Sequence, residues 1–449
     1  MKKIYKLVNI LIVFLFIINI FIINVNAVEL KPSFKVWSNA VYLVNLDTEE
    51  HTVVYKKNSN KKIPPASLTK IMTAVVALDS GMDLKKRVTV KTKHWQELWD
   101  LGFGVSNVDF RVGEKVRLID VLYATVLSSA CEGSNILGDY IGGGSIKNFI
   151  KMMNDKCKEL GLENTQFKNT HGIDAKGQYT TAYDMYKLTA YALKNKEFKK
   201  IATSGTYDLR KTNIHPKRTI FHTNEMMRFT GYYDERVEGI KTGTTDGSGY
   251  SLVTIASNDK YNYLCITLKA PIYNKNNVKY DTRYSYVDHT NLYTWVFDNF
   301  RIKTVLKKEE TLKEVKVNLG QDKDYVMLSP ENKVFSLLPG DIPASSVQKE
   351  YDIPESVEAP IKKGQVIGKV TLKLANQEIE TVNLIATETI ERSAILFLID
   401  KTGNIVSSRW FWAAIGLFVV LIFIYIILVV RHNNKKRRRS LNRVKRLSK

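Results

Sequence analysis

Between Asn39 and Lys57 the stretch NAVYLVNLDTEEHTVVYKK alternates apolar and polar positions on both sides of a polar turn, which predicts an antiparallel hairpin. At Ser67 the period changes. SLTKIMTAVVAL, LIDVLYATVLSSACEGSNILGDYIGG and SIKNFIKMMNDKCKELGL space their apolar residues by three and four, so the chain to about residue 200 reads as mainly helical, with Gly142 to Gly144 as a break. Alternation returns in VEGIKTGTTDGSGYSLVTIAS and KYNYLCITLKA, two successive antiparallel strands with Asp246, Gly247 and Gly249 in the first turn. Strands at both ends of a helical middle predict one sheet made from both termini of a domain, an α+β arrangement.

After YTWVFDNF the pattern breaks into short alternating segments, VLKKEETLKEVKVNL, DYVMLS and KVTLKLANQEIETVNLIA, separated by turn residues. This predicts a small all-β domain over 304–395, following a larger domain over 28–303. A linker at 396–409 leads to Trp410–Val430, an uncharged apolar run opened by Trp410 and Trp412 that is long enough to be a transmembrane helix. At the other end Lys2, Lys3 and Lys6 precede a long apolar run ending in VNA at Ala27, the layout of a signal peptide over 1–27, with an uncleaved signal anchor as the alternative.

Charge sharpens this layout. The tail at 431–449 carries ten Lys/Arg and no acid, which by the positive-inside rule is expected to hold it in the cytoplasm and the large N-terminal part outside the cell. Setting those ten and the three leader lysines aside from the net +22 leaves +9 for residues 28–430. The basic run is therefore topogenic and suited to anionic lipid, and nucleic acid is not an expected partner. Cys131, Cys157 and Cys265 are an odd, widely spaced set that gives no disulfide framework. No His-Glu-x-x-His, Cys-x-x-Cys or phosphate loop occurs, so no metal site or cofactor is expected.

The chemistry concentrates at PPASLTK. A serine hydroxyl needs a base, and a helix starting at Ser67 sets Lys70 one turn away on the same face. Lys70 serves only when neutral, which burial and a second cation would impose; Lys241 of KTGTT is the candidate cation. The helix N-terminus would also direct N–H groups at an oxyanion. Ser-x-x-Lys recurs at Ser59/Lys62, Ser257/Lys260 and Ser346/Lys349, but only Ser67 opens an amphipathic helix and is later joined by a Lys-Thr-Gly strand. The other readings are a capping serine, or a Ser-His-Asp triad using His171 and Asp174.

PPASLTKIMTAVVAL, VLYATVLSSACEGSNILGDYIGG, ENTQFKNTHGIDAKGQYTTAYDM and VEGIKTGTTDGSGYSLVTIAS resemble, in order, the signatures of the low-molecular-mass penicillin-binding proteins, the serine-type D-alanyl-D-alanine carboxypeptidases. They cover most of residues 38–300, and APIKKGQVIGKVTL resembles that family's C-terminal β domain. The resemblance implies a β-lactamase/transpeptidase-like catalytic domain with a helical subdomain, acting on the peptidoglycan stem peptide and acylated by β-lactams. It implies Ser67 as the acylated nucleophile, Lys70 as its base and Ser129 as a proton relay. Lys241, Thr242 and Thr244 would bind the terminal carboxylate, with Gly243 and Cys131 in the same substrate-binding set. The Ser67 and Thr244 amides would form the oxyanion hole. HGID, His171 to Asp174, reads as structural.

One position departs from the family pattern. Ser129-Ala130-Cys131 stands where Ser-x-Asn is usual, while Ser134-Asn135 comes one helical turn too late. A thiol hydrogen-bonds weakly in both directions, so the exchange bears on turnover more than on acylation by β-lactams. Two alternatives remain: a weakly catalytic penicillin-binding scaffold, and a β-lactamase, although Glu163 is followed four residues later by Phe167 rather than the Asn of the commonest class.

Overall fold

The computed structural model describes residues 32–447 apart from 49–50, 102–103, 259, 376 and 407. The expected signal peptide lies outside the described residues.

The chain divides into two compact units, the first made of Val28–Lys303 together with Phe335–Ala344. Its hairpin strands β1 (Ala40–Asn45) and β2 (Val53–Lys57) precede a single 3₁₀ turn, Ala66–Leu68, and helix α1 (Thr69–Asp79). The helical middle holds α2 (Gln96–Asp100), α3 (Leu118–Leu127), α4 (Cys131–Ile141), α5 (Ile146–Glu159), α6 (Ala182–Lys194) and α7 (Lys196–Ala202). It also contains a three-residue ribbon of β3 (Arg87–Thr89) with β4 (Lys115–Arg117), too short to leave a period in the sequence. A second ribbon pairs β5 (Thr206–Leu209) with β6 (Arg218–Phe221). Then come β7 (Val237–Thr245), β8 (Gly249–Ser257), β9 (Asn262–Ala270) and α8 (Tyr284–Asn299).

The sheet runs β2-β1-β9-β8-β7, antiparallel throughout, so the hairpin pairs with the last of the late strands as the two-ended pattern requires. Both faces of β1 are buried, which accounts for its nearly unbroken apolar run. One core joins Tyr42, Val44, Leu264 and Ile266 of the sheet to α1 and α3; the other sets Leu43, Val41 and Cys265 against Leu292, Tyr293 and Val296 of α8. Nearly every α1 residue is buried, so this helix is a central rod with the other elements built around it.

The second unit is built on a six-stranded sheet ordered Gln348–Asp352, Val366–Leu374, Gln377–Ala386, Tyr325–Pro330, Lys313–Asn318 and Ser356–Glu358. Phe335–Ala344, inside the span expected for this domain, groups with the first unit because Leu337 joins the core containing Trp295, Phe297 and Phe300. The expected linker is a helix over Ala394–Val406. A further helix, Arg409–Leu447, contains a 28-residue stretch, Arg409–Lys436, that is long and apolar enough to cross a membrane.

Candidate active site

Ser67 sits inside the 3₁₀ turn rather than at the first residue of α1, and neither helix start has a side-chain cap. The capping role is thus excluded. Instead, the Ser67 hydroxyl oxygen accepts from Lys70 Nζ at 3.0 Å. The residue before it, Ala66, has φ +47°, a left-handed conformation that costs an L-residue on the order of 1–3 kcal/mol and has to be held by its surroundings. Two glycines provide the hold. A Cβ on Gly172 would fall 1.8 Å from the Ala66 carbonyl oxygen, and one on Gly243 would lie 3.2 Å from Ala66 Cβ and 3.3 Å from Leu68 Cγ. The Lys-Thr-Gly strand and the HGID loop therefore press on the nucleophile turn from their own backbones.

Lys70 is fully buried. Its Nζ has three partners: Ser67, the His171 carbonyl at 2.7 Å and Cys131 Sγ at 3.4 Å. Burial lowers its proton affinity, while Cys131 and Glu132 pull it back up. Lys241 is also fully buried, and its Nζ donates to the Thr242 carbonyl at 3.1 Å. Its proton affinity falls well below that of an ordinary lysine, first through burial and then through the charge of Lys70. The charge of Lys70 thus disfavours that of Lys241, whereas the lowering at Lys70 itself comes from burial rather than from the second cation expected from the sequence.

The middle motif lies between α3 and α4, with Ser129 buried in a left-handed conformation at φ +60°. The Ser129 hydroxyl takes no part in the Lys70 contacts, whereas Cys131 does. Asn135 is spent elsewhere: its amide donates to the His94 carbonyl at 3.0 Å and its oxygen accepts from Thr170 at 2.6 Å. It braces the core behind the site, so Cys131 holds the third position of the motif.

The triad reading fails on geometry. His171 Nδ1 accepts from the Ile173 amide and Nε2 faces Glu97 at 3.4 Å, while Asp174 accepts from Thr245 at 2.8 Å and from the Gly247 amide. HGID is structural with one exception that residue type cannot reveal, the His171 carbonyl on Lys70. The competing Ser-x-x-Lys pairs dissolve as well. Lys62 stacks over Tyr179 and Lys349 pairs with Glu310; among the described residues only Lys70 hydrogen-bonds to the serine three positions before it.

A cleft of about 550 Å³ is lined by Ser128, Thr242 and Thr244, and also by Asn107, Val108 and Arg228. Thr244 is exposed, and Thr242 is held by a 2.7 Å hydrogen bond to Thr223. Ser67 is half-buried, and its turn packs against this strand at Gly243.

A family profile described as D-alanyl-D-alanine carboxypeptidase matches residues 27–271, and one described as penicillin-binding protein 5, C-terminal domain, matches residues 300–392. D-alanyl-D-alanine carboxypeptidase DacC of Escherichia coli K12 is 30% identical over 382 residues, covering 82% of this chain and 88% of that protein. DacF of Bacillus subtilis 168, of the same description, is 28% identical over 369 residues, covering 81% and 89%. The crystal structure of penicillin-binding protein 5 from Haemophilus influenzae covers 80% of this chain and 99% of its own with a TM-score of 0.61; at 24% identity it speaks for the fold. The DD-transpeptidase of Streptomyces K15 is 27% identical, covers 59% and 98%, and has a TM-score of 0.52. With more than half of its 449 residues matched by the first profile and a Ser67–Lys70 pair set against a Lys-Thr-Gly strand, the chain belongs to the peptidase S11 family of D-alanyl-D-alanine carboxypeptidases.

Proposed function

We infer that the protein is a serine-type carboxypeptidase that removes the terminal D-alanine from peptidoglycan stem peptides. Ser67 Oγ attacks the carbonyl carbon of the penultimate D-alanine as its proton passes to neutral Lys70. The C–N bond then breaks, the leaving amine takes a proton through Ser129, and water hydrolyses the resulting ester. A β-lactam enters by the same first step, with its ring amide in place of the peptide. The Ser67 and Thr244 amides hold the oxyanion. Lys241, Thr242 and Thr244 receive the terminal carboxylate, while Gly243 lets their strand approach the nucleophile and Cys131 completes the pocket wall. The observation that carries this reading is the 3.0 Å contact between Ser67 and a fully buried lysine whose proton affinity burial lowers.

Residues 28–303 carry the catalysis and 304–395 form an accessory β domain. The helix over Arg409–Lys436 anchors both in the membrane, with the catalytic part outside and the basic tail in the cytoplasm. The deciding experiment measures D-alanine release from a diacyl-L-Lys-D-Ala-D-Ala peptide, with wild-type chain and Ser67→Ala compared. Release by the folded mutant at the wild-type rate overturns the assignment. Acylation by penicillin without D-alanine release would instead favour the weakly catalytic scaffold, the reading that the thiol of Cys131 keeps in view.

A further inference from the structure

Glu132 follows Cys131 at the start of α4 and is fully buried. One carboxylate oxygen accepts from the Val108 amide at 2.8 Å, and the other, Oε2, is buried without a hydrogen-bond partner among the described residues. Val108 and its neighbour Asn107 line the cleft, and the Cys131 amide donates to the Ser106 carbonyl at 2.9 Å. On one side, then, Glu132 anchors a cleft wall. On the other it is the chain neighbour of Cys131, whose sulfur touches Lys70 Nζ.

A buried carboxylate with one oxygen left without a close donor is costly unless a charge nearby repays it. The charged or titratable groups facing this carboxylate and Lys70 are Cys131 on α4, Lys241 on β7, His171 in the loop before α6 and, through His171, Glu97 on α2. Among them Glu132 is the fully buried carboxylate, because Glu97 is more than half exposed.

We infer that Glu132 is a positioning residue for the acylation step, a buried counter-charge that, together with Cys131, shifts the pH at which Lys70 becomes able to take the Ser67 proton. The inference rests on the reading of Lys70 as base. When Glu132 is ionised it favours the Lys70 ammonium and delays the neutral form to higher pH; when it is protonated or removed, neutral Lys70 is reached at lower pH. Burial pushes the Glu132 carboxyl up to about 7, so this counter-charge itself changes in the neutral range and broadens the rise of activity with pH.

The two roles of Glu132 separate by substitution. Gln keeps an oxygen for the Val108 amide and removes the charge, whereas Asp keeps the charge on a shorter arm. The second-order rate constant for acylation of the full chain by a chromogenic cephalosporin is measured across pH, with Ser67 identified as the acylated residue by mass spectrometry. Glu132→Gln is expected to move the rising limb to lower pH by on the order of one unit. Glu132→Asp is expected to keep the limb near its wild-type position and to lower the plateau. A wild-type limb in folded Glu132→Gln overturns the inference, as does an equal displacement in both variants, which would trace the effect to geometry. If Glu132→Gln does not fold, a limb moved by one unit in Glu132→Asp overturns it alone. A wild-type chain that is acylated elsewhere than Ser67 refutes the function itself, an outcome distinct from these.

Discussion

The carbonyl oxygen of His171 accepts from Lys70 Nζ at 2.7 Å, so the histidine serves the site through its backbone while its ring faces Glu97. Its position depends on the next residue. Gly172, at φ +92°, passes so close to Ala66 that no Cβ fits.

Gly172→Ala should therefore cost both folding and acylation, with more than about 2 kcal/mol lost to left-handed strain and overlap together. Gly144 is the control, since its φ of +93° is nearly the same but its Cβ would meet nothing within 4 Å. Gly144→Ala should lose only about 1 kcal/mol and acylate normally. Urea unfolding with parallel penicillin labelling compares the two, and equal losses would mean that the Ala66 contact is unimportant.

Lys70→Ala should slow acylation by about 10²–10⁴, the range for loss of a positioned base, while Lys62→Ala should leave it unchanged. Lys62 lies over the Tyr179 ring at 4.4 Å and is exposed, so its removal touches nothing at Ser67. The reversed pattern, read from labelled-penicillin kinetics, would transfer the chemistry to the upstream pair.

Much of this site was legible because its chemistry is carried by residue types at fixed spacing: Ser67 and Lys70 one turn apart, and a lysine on a strand with a tight turn. The same holds for the sheet, whose late strands show a clean period of two. What escaped is what residue type does not encode. The His171 contact is a main-chain carbonyl, and the fit of Gly243 against Ala66 is a tertiary distance. Glu132 carries no spacing signal of its own, and only its burial distinguishes it. Ribbon β3–β4 is shorter than one alternation can signal, and Leu337 returns to the first unit for a core that no local pattern announces. The helix over Ala394–Val406 overlaps the span expected as linker, and its leucines and isoleucines have helical spacing.

His222 and His289 are fully buried, and burial brings each pKa down to about 3, helped at His222 by the charge of Lys241. An unfolded histidine binds its proton near pH 6.5, so between about 6.5 and 3 the unfolded state holds more protons and stability falls as pH drops. Each contributes up to about 1.4 kcal/mol per pH unit in that window. His289 hydrogen-bonds to Thr254 at 2.8 Å and to Thr267 at 2.9 Å, so His289→Gln should be less stable at neutral pH yet lose less on acidification. An unchanged slope of unfolding free energy between pH 7 and pH 5 would show that this histidine is already charged in the fold.

Protease added outside intact cells should cleave both domains and spare an epitope placed after Arg431 if, as proposed, the tail's ten Lys/Arg oppose export. Digestion of that epitope from outside would invert the proposed topology.

Cys131 offers the finest test of how the site uses its departure from the family pattern. Its sulfur is one of three partners of Lys70 Nζ, and at 3.4 Å it is the weakest of them. Cys131→Ala removes that partner without disturbing Ser67 or His171, so acylation should fall by up to roughly tenfold, the value of one modest hydrogen bond. Cys131→Asn supplies a stronger acceptor and a donor for substrate, and D-alanine release should hold or rise. Because Cys131 is only 3% exposed, a small thiol reagent should act slowly, slow acylation once attached, and be excluded by a bound β-lactam. Cys157 and Cys265 are buried in the two cores, where burial pushes both thiols up in pKa, and they should contribute nothing to that effect. If mass spectrometry finds Cys131 fully modified while acylation keeps its rate, and neither substitution changes turnover, the thiol does not act on Lys70 and the middle motif must work through Ser129 alone.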